Sequence, residues 1–287
     1  MIQSIKDTVT LSNGVQMPGL GFGVWQIPQE STAEAVKTAI KAGYRNIDTA
    51  AAYRNEKEVG EGIRAAMEEY GIKREELFVS TKLWNDHRGY DLAKEAIEES
   101  LNRLDIGYID LYMLHWPAVS KWHADWREIN SDTWKAMEEY YDKGLIKSVG
   151  TANYLAHHLQ ALMEDVQIRP MVNQIEYHPG FGQVESADFC KANGIAVEAW
   201  SPFGSGEVLK NSTLTQIADQ YGKSTAQVCL RWLIQKDIVP LPKSVHEERI
   251  LSNTEVFDFM LSDEDMKTID EIPYCGGMKF DPDAAKS

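Results

Sequence analysis

From Leu20 to about residue 251, short apolar runs alternate with stretches in which apolar residues recur at three-and-four spacing, and nothing else in the chain narrows its fold as far. A β-rich run followed by an amphipathic helix is one βα unit, and such units in series build a parallel sheet with helices outside it. The strand candidates are Leu20–Gly23, Asn46–Asp48, Phe78–Thr81, Ile109–Leu114, Ile146–Gly150, Met171–Ile175, Ala196–Ala199 and Ile238–Leu241. Between them, Ala93, Ile97, Leu101 and Leu104, or Leu155, Leu159, Leu162 and Val166, mark the buried stripes of helices. Ser31-x-x-Glu34, Asn55-x-x-Glu58 and Ser224-x-x-Gln227 read as capping boxes that open helices. Eight units predict an α/β fold of the (β/α)8 TIM-barrel type. The 287 residues suit one domain, 1–287, since such barrels run to about 250 residues and more with insertions.

The flanks break the repeat. Thr8–Leu11 and Val15–Pro18 around Ser12-Asn13-Gly14 predict an N-terminal β-hairpin that plugs one end of the barrel. The segment Trp116 to Asn130 and the region from about Ser262, an extra C-terminal helix and then the tail Pro273 to Ser287, are longer than ordinary connections, as lids or disordered ends are. Because barrel active sites lie at the C-terminal ends of the strands, the first of these predicts a substrate lid.

A formal charge of −15 excludes a nucleic-acid or anionic-membrane surface, which needs clustered Lys and Arg, so any anionic ligand must meet a local basic patch. The three cysteines, Cys190, Cys229 and Cys275, are widely spaced and suggest neither a disulfide framework nor a metal knuckle. His157 and His158 sit side by side on a predicted helix, are expected to point apart, and have no Cys or carboxylate at metal spacing, so no metal site is predicted. With no apolar leader after Met1 and no stretch of membrane-spanning length, a cytoplasmic protein is expected.

Chemistry concentrates at strand ends. The run from Gly43 to Gly60 reads as a strand ending at Asp48, a small-residue turn carrying Tyr53, and a helix; the next two strands end at Lys82 and His115. A tyrosine near its ordinary pKa of about 10 is a poor proton donor at neutral pH unless its surroundings tune it. A lysine beside it favours the tyrosinate and lowers that pKa, Asp48 holds the ammonium in place, and His115 orients an oxygen or passes a proton. The four suit protonation of an oxygen while a hydride arrives at its carbon. Trp25, Trp84 and Trp116 follow the first, third and fourth strands and predict aromatic walls for a compact substrate. The glycines of Leu20-Gly21-Phe22-Gly23-Val24-Trp25 do not make a dinucleotide fingerprint, because Gln26 stands where the third glycine belongs; they are expected to shape a barrel turn.

The run from Gly43 to Gly60, with Thr81-Lys82-Leu83-Trp84 and Leu114-His115-Trp116-Pro117, resembles the aldo-keto reductase family over essentially the whole chain. The resemblance is to its bacterial branch of 2,5-diketo-gluconate reductases and glyoxal or methylglyoxal reductases. It implies NADPH-dependent reduction of small aldehydes and ketones, with Tyr53 as general acid, Asp48 and Lys82 as its tuning pair and His115 as the orienting group. It places the cofactor on Gly23, Val24, Asn153, Gln174, Trp200, Ser201, Phe203, Lys243, Ser244, Val245, Arg249 and Asn253. Lys243, Ser244 and Arg249 fall on the adenosine 2′-phosphate, Asn253 on the adenine, and Trp200 on the nicotinamide ring. Trp25, Trp84 and Trp116 fall to the substrate, and the branch implies a monomer.

The sequence departs from the family pattern at Ala152, where a serine usually helps hold the carboxamide, and at Ser252, where a glutamate usually meets the adenine. Each change removes one hydrogen-bond partner, about 0.5 to 1.5 kcal/mol. Two other functions stay open at this stage: a nicotinamide-binding sensor on the same fold, and a barrel hydrolase using Glu176 and Glu198 as a carboxylate pair.

Overall fold

The computed structural model describes residues 2–286. A hairpin comes first: β1 (Thr8–Thr10) pairs antiparallel with β2 (Gln16–Pro18), and Gly14 takes a φ of 87° in the turn. Leu11 and Met17 are buried in the main core, and Asn13 Nδ2 donates to Lys147 O just before a barrel strand begins, so the hairpin covers the N-terminal end of the barrel as expected.

Eight parallel strands follow in chain order: β3 (Gly21–Gly23), β4 (Asn46–Asp48), β5 (Phe78–Leu83), β6 (Leu111–Leu114), β7 (Val149–Ala152), β8 (Val172–Glu176), β9 (Ala196–Trp200) and β10 (Ile238–Pro240). Each pairs with its sequence neighbour, and Gly23 N donating to Pro242 O brings the two ends of the sheet together into a nearly closed barrel. The glycine-rich run has its reason here. A Cβ on Gly21 would stand 2.4 Å from Leu241 Cδ2, so the glycine lets the first strand close against the last, within a strand rather than in the expected turn.

The helices are α1 (Gln29–Lys41), α2 (Glu56–Tyr70), α3 (Tyr90–Leu104), α4 (Trp126–Asp142), α5 (Ala156–Asp165), α6 (Val184–Ala192), α7 (Ser212–Tyr221), α8 (Thr225–Gln235), α9 (Glu247–Ser252) and α10 (Asp263–Asp270). The capping forecast holds for one of three boxes. Ser224 and Gln227 exchange the expected bonds, whereas Ser31 lies inside α1, which opens after Pro28. Asn55 precedes α2 but does not cap it: its side chain accepts from Thr49 Oγ1 at 2.8 Å and donates to Val24 O at 3.1 Å, tying two strand-end loops together.

Alternation along a strand sends residues i and i+2 to one side. Ile47, Val79, Ile175 and Val197 fill the layer between sheet and helices, and the residues of the alternate positions, Asn46, Asp48, Ser80, Lys82, Gln174 and Glu198, bond to one another inside the barrel. The barrel therefore encloses a polar layer beneath its C-terminal mouth.

Candidate active site

Strand β5 runs two residues further than the sequence pattern indicated, so Lys82 lies within the strand, fully buried, rather than beyond its end. Its ammonium donates to Asp48 Oδ1 at 2.6 Å, Asp48 Oδ2 at 2.8 Å and Thr49 O at 2.8 Å, and stands 3.5 Å from the Tyr53 hydroxyl. Asp48 also accepts from Ser80 Oγ and Gln174 Nε2, each at 2.9 Å, so its charge is met from three directions. Burial alone would push Lys82 down, yet Asp48 and Tyr53 outweigh it and hold the lysine above its ordinary pKa. The ammonium is thus locked in its charged form.

Tyr53 closes a short 3-10 turn, Ala51–Tyr53, and is half-buried in the cleft wall. Burial lifts its phenol to about 12, with Lys82 pulling it down and Asp48 pushing it up. Lys82 therefore acts in the expected direction but does not bring the free chain's phenol below its ordinary value. His115 follows β6, its ring 5.7 Å from that of Tyr53 and 5.0 Å from that of Trp84, both edge-on. Burial, and then the Lys82 charge, hold His115 well below its ordinary pKa, so it is a neutral imidazole, and its buried Nδ1 has no partner among the described residues.

Asp48, Tyr53 and His115 line a groove of about 1790 Å³ across the C-terminal mouth, and Lys82 lies fully buried behind them. Gly23, Trp25, Trp84, Trp116, Asn153, Gln174, Trp200, Ser201, Phe203, Lys243, Ser244, Val245, Arg249 and Asn253 all line it. Val24 does not: its side chain is fully buried in the core, and only its backbone reaches the strand-end loops. Gln174 Nε2 donates to both Asp48 and Glu198, at 2.9 Å each, which leaves the amide oxygen without a protein donor among the described residues. Asn153 takes a φ of 62° after β7, with Nδ2 on His115 O at 3.0 Å and Oδ1 accepting from Trp200 Nε1 at 2.8 Å. At the other end of the groove Lys243 and Arg249 are exposed, and neither pairs with a carboxylate among the described residues.

The carboxylate-pair alternative fails on geometry. Glu198 is fully buried and accepts from Asn46 and Gln174, while the Glu176 carboxylate accepts the backbone N–H groups of Met278 at 2.6 Å and Lys279 at 2.8 Å. Neither is free to meet a glycosidic bond.

Those last two bonds show what sequence reasoning missed. The C-terminal tail is not a loose end; it crosses the mouth as a strap. Gly277, at a φ of 98°, lies so close to the barrel that a Cβ would fall 2.4 Å from Glu176 Oε1. Beyond it Phe280 packs edge-on against Trp116 at 5.9 Å, Ala284 O accepts from Trp122 Nε1, and Lys286 O accepts from Asn85 Nδ2. The expected lid, Trp116 to Asn130, is correspondingly shorter: α4 begins at Trp126, and the buried Asn130 ties its helix back to both backbone groups of Ala118. His157 and His158 also differ from expectation, since their rings lie 4.0 Å apart rather than diverging, and the tail brings Asp283 to both.

Comparison with known proteins agrees with this architecture. Residues 14–273 match the aldo/keto reductase family. The chain is 49% identical over 273 residues, 95% of each chain, to the glyoxal reductase of Bacillus subtilis (strain 168). It is 39% identical over 277 residues, 96% of each, to the methylglyoxal reductase DkgA of Escherichia coli (strain K12). The crystal structure of a Bombyx mori aldo-keto reductase in complex with NADP superposes with a TM-score of 0.86 at 36% identity, covering 94% of this chain and 93% of that one.

Proposed function

Because the chain belongs to the aldo/keto reductase family and is an oxidoreductase, we propose that it reduces small aldehydes and ketones, glyoxal and methylglyoxal among them, with NADPH as cofactor and Tyr53 as general acid. The observation that carries this reading is the Tyr53 hydroxyl 3.5 Å from a lysine that is itself clamped by Asp48. A phenol held up to about 12 is fully protonated at neutral pH, so the donor is present before any substrate enters. As negative charge develops on a substrate oxygen, the fixed Lys82 ammonium stabilises the tyrosinate left behind, with no solvent to reorganise. A bare nitrogen is a cheaper buried orphan than a bare N–H, which favours the His115 hydrogen on Nε2, as a donor to the same oxygen.

The residues present fit the cofactor. Lys243 and Arg249, two cations without carboxylate partners among the described residues in a chain of charge −15, with Ser244 between them, suit the 2′-phosphate, and Asn253 suits the adenine. Ser201, Phe203 and Val245 also line the groove, and Trp200 offers an aromatic face held by Asn153. Asn153 and the unmatched amide oxygen of Gln174 suit a carboxamide, in place of the serine absent at Ala152. When bound, NADPH supplies the hydride. Trp25, Trp84 and Trp116, joined by Phe280, wall the substrate end with apolar surface that sets size rather than polar readout.

The reading takes 1–287 as one catalytic domain, supported by a core that runs from Leu11 to Ile272, and as a monomer of the cytoplasm; no helix among the described residues is long and apolar enough to cross a membrane. Loss of nicotinamide absorbance with a panel of glyoxal, methylglyoxal and aromatic aldehydes tests it. Tight NADPH binding with no turnover on any carbonyl would instead support the sensor function.

A further inference from the structure

We propose that His157, His158 and Asp283 form a binding site for a divalent transition-metal ion of the zinc class, which fastens the C-terminal strap to the first turn of α5. The ligand atoms of the three residues all lie within 4.8 Å of one another. Both imidazole Nε2 atoms converge on the same carboxylate oxygen, at 2.9 Å from His157 and 3.0 Å from His158. Zinc bonds of about 2.0 to 2.2 Å place neighbouring ligand atoms roughly 3 to 3.5 Å apart, so an ion enters with side-chain adjustment and no movement of the backbone.

The surroundings favour a cation and fix the ligands. No lysine or arginine among the described residues pairs with Asp283, and the nearby Arg127 is taken up by Glu164 and Asp165. Asp281 adds negative charge and also orders the turn, accepting from Asp283 N at 3.0 Å ahead of Pro282. His158 is buried, its ring edge-on to Trp126 at 6.0 Å and Tyr154 at 5.9 Å, so its direction is set by packing. Two imidazoles and one carboxylate with no thiolate select zinc, nickel or cobalt over magnesium or calcium, and three protein ligands leave a position for water.

One contact opposes binding and limits its strength. His158 Nδ1 accepts from Leu155 N at 3.2 Å, so in the metal-free chain the ring carries its hydrogen on Nε2, toward Asp283. Ligation through Nε2 moves that hydrogen to Nδ1 and gives up the Leu155 bond, which weakens the site by roughly ten-fold against an unopposed one. The consequence for the fold follows from position: Asp283 lies three residues after Phe280, which packs on Trp116, and one before Ala284, which is held by Trp122. An ion here joins segments 126 residues apart and closes the strap across the groove.

Titration of chelator-stripped full-length protein with Co²⁺, read by visible absorption, and displacement by Zn²⁺ test the site. One Co²⁺ per chain is expected, with nitrogen and oxygen ligation and no thiolate charge-transfer band. His157→Ala and Asp283→Ala, both at half-exposed positions that leave the core intact, are each expected to lower the affinity by roughly 100-fold or more. Zn²⁺ is expected to slow amide hydrogen exchange in 278–286 in the wild type and not in His157→Ala. The proposal is overturned by absence of saturable Co²⁺ binding, by a thiolate spectrum, or by binding that both substitutions leave intact; it is equally overturned if Zn²⁺ binds but exchange in the strap is unchanged.

Discussion

Replacing Tyr53 by Phe removes one oxygen, and the structure says how little else should change. Among the described residues the hydroxyl's one hydrogen-bond contact is Lys82 Nζ, at the long distance of 3.5 Å, while the lysine keeps Asp48 and Thr49. A bond of that length contributes at the low end of the usual range, so stability should fall by less than about 1 kcal/mol, a drop of at most about 3 °C in Tm for a chain of this size. Turnover should fall by about 10²- to 10⁴-fold, the contribution typical of a positioned general acid. Because burial holds the phenol at about 12, the donor stays protonated through neutral and moderately alkaline pH; reduction by the wild type should be flat with pH there and decline only as the phenol ionises. Thermal melts, NADPH fluorescence titration and kcat against methylglyoxal separate these effects. If Tyr53→Phe kept its turnover to within five-fold while melting normally, the proton would have to come from another group and the assignment would fail.

Three other perturbations probe the groove and the barrel floor. Arg249→Ala should raise the KM for NADPH by roughly ten-fold or more and leave that for NADH nearly unchanged, since charged hydrogen bonds contribute about 1.5 to 3 kcal/mol; equal weakening of both cofactors would remove the 2′-phosphate from this end. Trp116→Ala should alter the ranking of aldehydes by about 1 to 3 kcal/mol in kcat/KM without changing NADPH affinity, and a uniform loss across aldehydes with weaker NADPH binding would put Trp116 on the cofactor instead. Glu198 is raised to about 7, by burial and then by Asp48, from an ordinary value of 4.5. Between those two values the folded chain keeps a proton that the unfolded chain has lost, so stability falls as pH rises through the window, by about 3 kcal/mol at most. Urea denaturation at both ends of the window should show that slope in the wild type and lose it in Glu198→Gln.

The barrel was legible because its signals are local. Eight apolar runs with helical stripes between them need no long-range information, and seven of the eight strands both begin and end within two residues of the pattern; at Ile146–Gly150 the start moved to Val149, with only a bridge from Ile109 to Ile146 before it. The nearness of Asp48, Tyr53, Lys82 and His115 followed from the same local signals: Asp48 ends β4 and His115 follows β6, while Lys82 lies inside β5 and Tyr53 in the turn after β4. Partners across the barrel were not legible. Nothing in Asn55-x-x-Glu58 says that Asn55 will bond to Thr49 and Val24 rather than cap its helix, and nothing in two adjacent histidines says that an aspartate 126 residues away will meet them. The strap escaped because its anchor is made by main-chain N–H groups, which every residue except proline carries and which therefore leave no mark in the sequence.

That same anchor separates two things that usually change together. Glu176 grips the peptide links at Met278 and Lys279 and takes no account of what those residues carry, so the strap's route is set by the barrel and its chemistry by the strap. Side chains just beyond the grip, Phe280 first among them, can be exchanged without rerouting the chain. A lineage, or a designer, could then retune which carbonyl compounds enter by rewriting a few letters near the end of the chain while the machinery below stays as it is.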